Sequence, residues 1–180
     1  MSQYHKYIHK PFVEFEFRLG KQSKGGFDTN IGKNNHNNIL KSLQSFPNWR
    51  CSTVSSYKDT FYQNGLRINS STNEAVTKSK LYASNKKLLP HTFDVRFAIC
   101  LETPAVQNNE SDEIYVRDKT RHSFRHEFFR IDLTHITNID SYELEIEIVD
   151  MDYARKHSPS FIITCILKEL DNLITISSNM

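Results

Sequence analysis

Five segments of this chain carry a charged or strongly polar residue at nearly every second position, and that period most limits what it can fold into. In residues 142–150, YELEIEIVD, Glu143, Glu145 and Glu147 alternate with Leu144, Ile146 and Ile148. In 12–20, FVEFEFRLG, Glu14, Glu16 and Arg18 alternate with Val13, Phe15, Phe17 and Leu19. Residues 92–102 align Asp94, Arg96 and Glu102; residues 114–124 align Arg117, Lys119, Arg121 and Ser123; residues 128–136 align Arg130, Asp132 and Thr134. Successive side chains of a strand point to opposite faces, so each segment predicts a strand with one charged and one mostly apolar face.

Solvent exposure accounts for any one of these faces. Outward faces, however, usually mix Thr, Ser, Gln and Lys, whereas here like charges recur about 7 Å apart and repel one another. A closed barrel resolves the pattern: charged faces turn into a wet lumen, and apolar faces turn outward beneath helices and loops. Closure also removes vulnerable strand edges. Two further segments, 52–62 and 65–71, show strand-like alternation. Residues 31–46, ending before Pro47, and 159–176 read as helices; Ser158 is the candidate N-cap of the second, with Pro159 at its first helical position. The expected fold is therefore a β-rich α+β chain, an eight-stranded antiparallel β-barrel with a few covering helices. The polar stretches SSTNEAVTKSK (70–80) and QNNESDE (107–113) read as loops.

The length of 180 residues predicts a single domain, residues 1–180, able to bury a real core. A formal charge of +2 is too small for a bulk nucleic-acid binder, so anions must be recognised by local pattern. Cys51, Cys100 and Cys165 are scattered with no CxxC, against a disulfide framework or zinc site and for a reducing compartment. The opening MSQYHKYIHKPF lacks an apolar leader and FIITCIL (161–167) is too short to span a bilayer, which predicts a soluble intracellular protein. No GxxxxGKS, GxGxxG or GxSxG occurs, so P-loop, dinucleotide-fold and hydrolase-elbow chemistries have no support. His122, His126 and His135 lack metal-helix spacing and read as surface or structural residues. Phe12, Phe15, Phe17, Phe93 and Phe97 fall largely opposite the charges, which predicts outer packing under helices and not a base-stacking platform. The apolar 161–173 segment reads as a helix covering the barrel.

Carboxylates from the first and last strands are the hard oxygen ligands that magnesium or manganese prefers. The bases Arg18, Arg96, Arg117, Lys119, Arg121 and Arg130 suit phosphate oxygens, arginine in bidentate geometry. Acids that hold a metal beside bases that hold an anion point to phosphoryl chemistry.

In this order the motifs resemble those of the triphosphate tunnel metalloenzymes, in particular the metal-dependent RNA 5′-triphosphatases of fungal, protozoan and large-DNA-virus mRNA capping systems. The resemblance runs from about residue 12 to 150. It rests on Glu14-x-Glu16-x-Arg18 followed by Leu-Gly, Asp94-x-Arg96 leading to Glu102 and Pro104, Arg117-x-Lys119-x-Arg121-x-Ser123, Arg130-x-Asp132-x-Thr134, and Glu143-x-Glu145-x-Glu147. Ala98 departs from it, standing where relatives often carry a small hydroxyl residue.

The resemblance implies that Glu14, Glu16 and Glu147 contact Mg2+ or Mn2+ directly, Glu145 acts through a water, and Glu143 braces the basic wall. It implies that Arg96, Lys119 and Arg121 grip the terminal phosphate, with Arg18, Arg117, Arg130, Asp132 and Ser123 supporting substrate. The implied activity removes the γ-phosphate of a 5′-triphosphate RNA end, with free nucleoside triphosphates as side substrates. The implied functional partner is an RNA guanylyltransferase, and the location nucleus or cytoplasm, or a viral factory for a viral protein. Two alternatives stay open: hydrolysis of inorganic tripolyphosphate or another small triphosphate, and a non-catalytic barrel binding RNA ends or polyphosphate in a capping assembly. The compact length suggests a monomer, with no membrane partner.

Overall fold

The computed structural model describes residues 2–88, 92–106 and 112–178. Along the chain run α1 (Ser2–Tyr7), β1 (Val13–Ser23), β2 (Gly26–Asp28), α2 (Lys33–Ser45), β3 (Cys51–Tyr62), β4 (Leu66–Asn69) and β5 (Ala75–Lys87). Then follow β6 (Asp94–Pro104), β7 (Glu113–Arg125), β8 (Phe129–Ile136), β9 (Ser141–Ile148), α3 (Met151–Lys156) and α4 (Pro159–Ser178).

Eight strands form a closed antiparallel barrel in the order β1-β6-β5-β4-β3-β7-β8-β9, and β9 pairs back onto β1. The short β2 extends β1 outside the ring. It crosses so close to Gly20 that a Cβ there would meet the Asp28 carbonyl oxygen at 2.1 Å, so only glycine fits.

The period of two decides which face goes where. Along β9, Tyr142, Leu144, Ile146 and Ile148 are buried, while Glu143, Glu145 and Glu147 face the lumen and stay partly accessible. Phe15, Leu19, Ile131 and Leu133 turn outward likewise and pack with Ile39 and Leu43 of α2 and with Ile162, Ile166, Leu170 and Leu173 of α4. The hydrophobic core thus lies outside the barrel wall, between β1, β8, β9 and the helices. Local signals fix the helix ends. Ser158 Oγ accepts from the Phe161 amide at 3.3 Å before α4, Asp150 accepts from Tyr153 N at 2.8 Å before α3, and Trp49 Nε1 donates to the Leu43 carbonyl near the end of α2 at 2.7 Å.

The loop expected at 70–80 is corrected: β5 begins at Ala75. β3 and β5 are exposed along most of their length, apart from Leu81 and Tyr82 of β5, which pack against the core, so neither strand carries an apolar run to mark it. Of the loop expected at 107–113, residues 107–111 lie outside the described residues and Glu113 opens β7. The last strand stops at Ile148, since Asp150 caps α3. Phe15, Phe17 and Phe93 are buried as expected, but Phe12 is 56 % exposed with a φ of 58°, and is no packing residue.

Candidate active site

Closure of the ring brings the first and last acidic strands into one ladder, where Glu16 stands opposite Glu147 and Arg18 opposite Glu145. With Glu14 and Glu143 they line a central cavity of about 580 Å3. Directly opposed like charges repel and need cations between them. Lys78 of β5 supplies one: its Nζ donates to Glu14 Oε2 at 2.8 Å and also to Glu16. Arg18 supplies another, with Nη2 at 3.1 Å from Glu145 Oε2 and 3.4 Å from Glu16 Oε2.

The acids of this floor are tuned in opposite directions. Burial pushes Glu147 up to about 8, and the Arg130 guanidinium only partly offsets it. Burial, reinforced by the Glu145 charge, also raises Glu16. Glu145 is equally buried, yet Arg18, Arg121 and Lys78 outweigh that cost and hold it below the usual carboxylate range. Burial works against the Lys78 ammonium, but Glu16 and Glu14 outweigh it and keep the side chain charged.

Opposite the acids stands a basic wall. Arg130 reaches Glu147 at 2.6 Å and Asp132 at 3.0 Å, and Asp132 also accepts from Ser123 Oγ at 2.6 Å. Arg121 lies 3.3 Å from Asp132 and donates through Nε to Thr134 Oγ1 at 3.1 Å. Lys119 donates to Asp59 at 2.6 Å, both buried, and burial outweighs Asp59 to lower the lysine's pKa. Arg117 lies 3.7 Å from Glu143, whose other neighbour is Thr29 Oγ1 at 2.8 Å. The buried Nε atoms of Arg18 and Arg67 have no partner among the described residues, which leaves two donors for an anion in the lumen.

Most of the residues singled out from sequence therefore line one chamber, Arg96 among them, while Asp132, Ser123 and Thr134 lie outside the lining. Arg96 sits at its rim, donating to Asn85 Oδ1 at 2.9 Å with its guanidinium 4.4 Å above the Phe27 ring. Ser123 is bound to Asp132 and lies outside the cavity lining. Ala98 does line the cavity, beside Cys100. Sequence reasoning missed Asp59, Arg67, Lys78 and Lys80. All four sit on β3, β4 and β5, where hydrophobic alternation is weak; the spacing of Lys78 and Lys80 was the one signal available.

The donor set fits a hard divalent ion. Lys78 is a tethered cation already seated on Glu14 and Glu16, and the oxygens it occupies are of the kind magnesium and manganese favour. Among the described residues no three acids converge on a single point, because Lys78 and Arg130 take oxygens that a metal would compete for.

Residues 19–160 match the family model described as mRNA capping enzyme, beta chain. The match begins just past Arg18 and so does not reach Glu14 and Glu16. The fold is similar to that of the Pct1 RNA triphosphatase of S. pombe, solved with the Spt5 CTD: TM-score 0.74, 17 % identity, 98 % of this chain and 91 % of that chain covered. It is also similar to the Mimivirus capping enzyme triphosphatase, with a TM-score of 0.64, 17 % identity, and 99 % and 95 % of the two chains covered. A comparison with curated protein sequences gave no match.

Proposed function

The chain belongs to the family of mRNA capping enzyme beta chains, and from that premise we propose that it is a metal-dependent RNA 5′-triphosphatase carried on one tunnel domain. It hydrolyses the γ-phosphate from 5′-triphosphate RNA and leaves a diphosphate end. The observation that carries this reading is the β1–β9 seam, where Glu16 and Glu147 face each other with Lys78 on one side and Arg130 on the other.

Glu14, Glu16 and Glu147 would hold magnesium or manganese, whose charge would offset that of the terminal phosphate. Lys119 and Arg121 bind the γ-phosphate oxygens, and the free Nε donors of Arg18 and Arg67 complete the clamp. Glu145, held ionised by its cations, accepts the proton of the attacking water. Water oxygen bonds to the γ-phosphorus as the bond to the β–γ bridging oxygen breaks, and the diphosphate end leaves as the conjugate oxyanion. Arg130 and Asp132 position the floor by fixing Glu147 and Arg121, and Ser123 orients Asp132. Glu143 braces Arg117.

Nucleoside triphosphates are side substrates, because the reacting groups of the chamber contact only the triphosphate. A diphosphate RNA end is the acceptor for guanylylation, so an RNA guanylyltransferase is the functional partner, and the protein acts inside the cell. Among the described residues no helix is long and apolar enough to cross a membrane. The test is phosphate release from γ-labelled triphosphate RNA with magnesium, with manganese and with chelator. Release that depends on metal is expected; no release with either metal would overturn the proposal.

A further inference from the structure

The lumen has two mouths of unlike chemistry, and one of them carries a stacked aromatic pair that the phosphate chemistry leaves unused. On β7, Tyr115, Arg117, Lys119 and Arg121 follow one another at the lumen-facing period, and Tyr115 is the outermost. Its partner across the ladder is Phe61 of β3, where the register shifts just beyond that pair. The two rings lie 4.5 Å apart at an interplanar angle of 15°. Arg117 places its guanidinium carbon 5.8 Å from each ring centroid.

This pair does no core packing: neither ring belongs to the hydrophobic core, and Tyr115 remains 44 % exposed at the cavity edge. Its place along the tunnel follows from the ladders. Lys119 and Asp59 pair at the level of the catalytic floor, Arg117 and Glu143 meet one step outward, and Tyr115 lies one step beyond. Lys80 and Arg96 line the same cavity. The other mouth opens on a cavity of about 360 Å3 flanked by Glu14, Glu74 and Glu102. Phe12 is exposed there too, but the one base of that lining, Arg67, is already paired with Glu102, so the mouth offers a phosphodiester backbone more acid than base.

On the reading that RNA ends are the substrate, we infer that Tyr115, backed by Phe61, seats the first base of the RNA by stacking while Arg117 holds the phosphate chain next to it. An exposed aromatic face beside a cation is how single-stranded nucleic acid is held without regard to sequence. The RNA then leaves through the basic mouth, and the enzyme distinguishes a nucleic-acid end from a bare inorganic triphosphate. Tyr115 is a positioning residue for the substrate and touches none of the reacting atoms.

Two measurements on the full chain with manganese test this. In Tyr115→Ala, the ratio of kcat/KM for triphosphate RNA to that for tripolyphosphate falls about tenfold, the scale of one lost base stack, mostly through KM for RNA, and Tyr115→Phe restores it. A β,γ-imido 5′-triphosphate oligonucleotide whose first base is 5-iodouracil crosslinks to Tyr115 on irradiation. An unmoved ratio in a variant with the wild-type melting temperature overturns the inference, as does a crosslink at Phe12 or none at all. A wild-type protein that hydrolyses tripolyphosphate but not RNA overturns the RNA reading instead, and the crosslink still decides where the base sits.

Discussion

Glu16 and Glu147 are cross-strand partners, one on the first strand of the barrel and one on the last, both facing the lumen. Two carboxylates so placed repel each other and attract a cation. Manganese at about a hundred times its dissociation constant should therefore raise the melting temperature by about 5–10 °C. Glu16→Gln or Glu147→Gln should lose most of that rise and at least about a hundredfold in turnover. Near-normal turnover in either variant would remove these residues from the site.

The raised Glu147 carboxyl predicts a pH signature in chelator. Its folded-state pKa stands near 8 against an ordinary value of 4.5, so between those values the folded protein holds a proton that the unfolded chain has lost. That contribution to stability is whole below about pH 4.5, declines as pH rises, and is gone above about pH 8. Glu147→Gln cannot titrate. The melting temperature of wild type minus that of Glu147→Gln should fall across this window and level off above it; a pH-independent difference would contradict the buried, protonated acid.

Lys119 and Asp59 form a buried pair on neighbouring strands. Removing one partner strands the other charge, so Lys119→Met should cost about 3 kcal/mol in urea unfolding. Lys119→Met combined with Asp59→Asn should recover most of the stability and none of the activity. A double variant no more stable than the single would show that the pair is not coupled.

Arg96 and Arg121 separate the rim from the grip. Arg121→Ala should reduce kcat at least about a hundredfold, as loss of a preorganised phosphate donor does. Arg96→Ala should change it less than about tenfold, because Arg96 is committed to Asn85 and Phe27. Equal losses would return Arg96 to the phosphate clamp.

On the outer surface, Lys168→Ala on exposed α4 should leave activity and melting temperature unchanged, whereas Ile166→Ala, fully buried against the barrel, should cost about 2–5 kcal/mol. Similar effects of the two would mean that α4 does not cover the wall.

The strands under the helices were legible because burial imposes alternation: β1, β8 and β9 must each bury one face, and they read at sight. In the wall made by β3, β4 and β5, the first two were legible as strands, but β5 read as a loop and the lumen-facing residues of all three went unmarked. Lys78 lies in a stretch of Thr, Lys and Ser, so nothing apolar marks its part of the strand, although it bridges two acids of the floor. Arg96 shows a different limit. It alternates correctly, but position along the strand, and not face alone, decides whether a side chain reaches the chamber or its rim. Phe61 and Tyr115 were read as parts of ordinary strands because stacking across a ladder depends on register, which one sequence does not reveal.

The seam between β1 and β9 also bears on the order in which the molecule is built. The acids of the floor come from the first and last staves of the barrel, so a chain emerging from the ribosome carries Glu14 and Glu16 long before Glu147 exists to face them. Contacts of such sequence separation form late and slowly. Until the final strand docks the ring is an open sheet, with no floor to gather a cation and no enclosed chamber to exclude water. Catalytic competence should therefore appear at the last step of folding, all at once, with a half-made protein unable to hydrolyse the triphosphates around it.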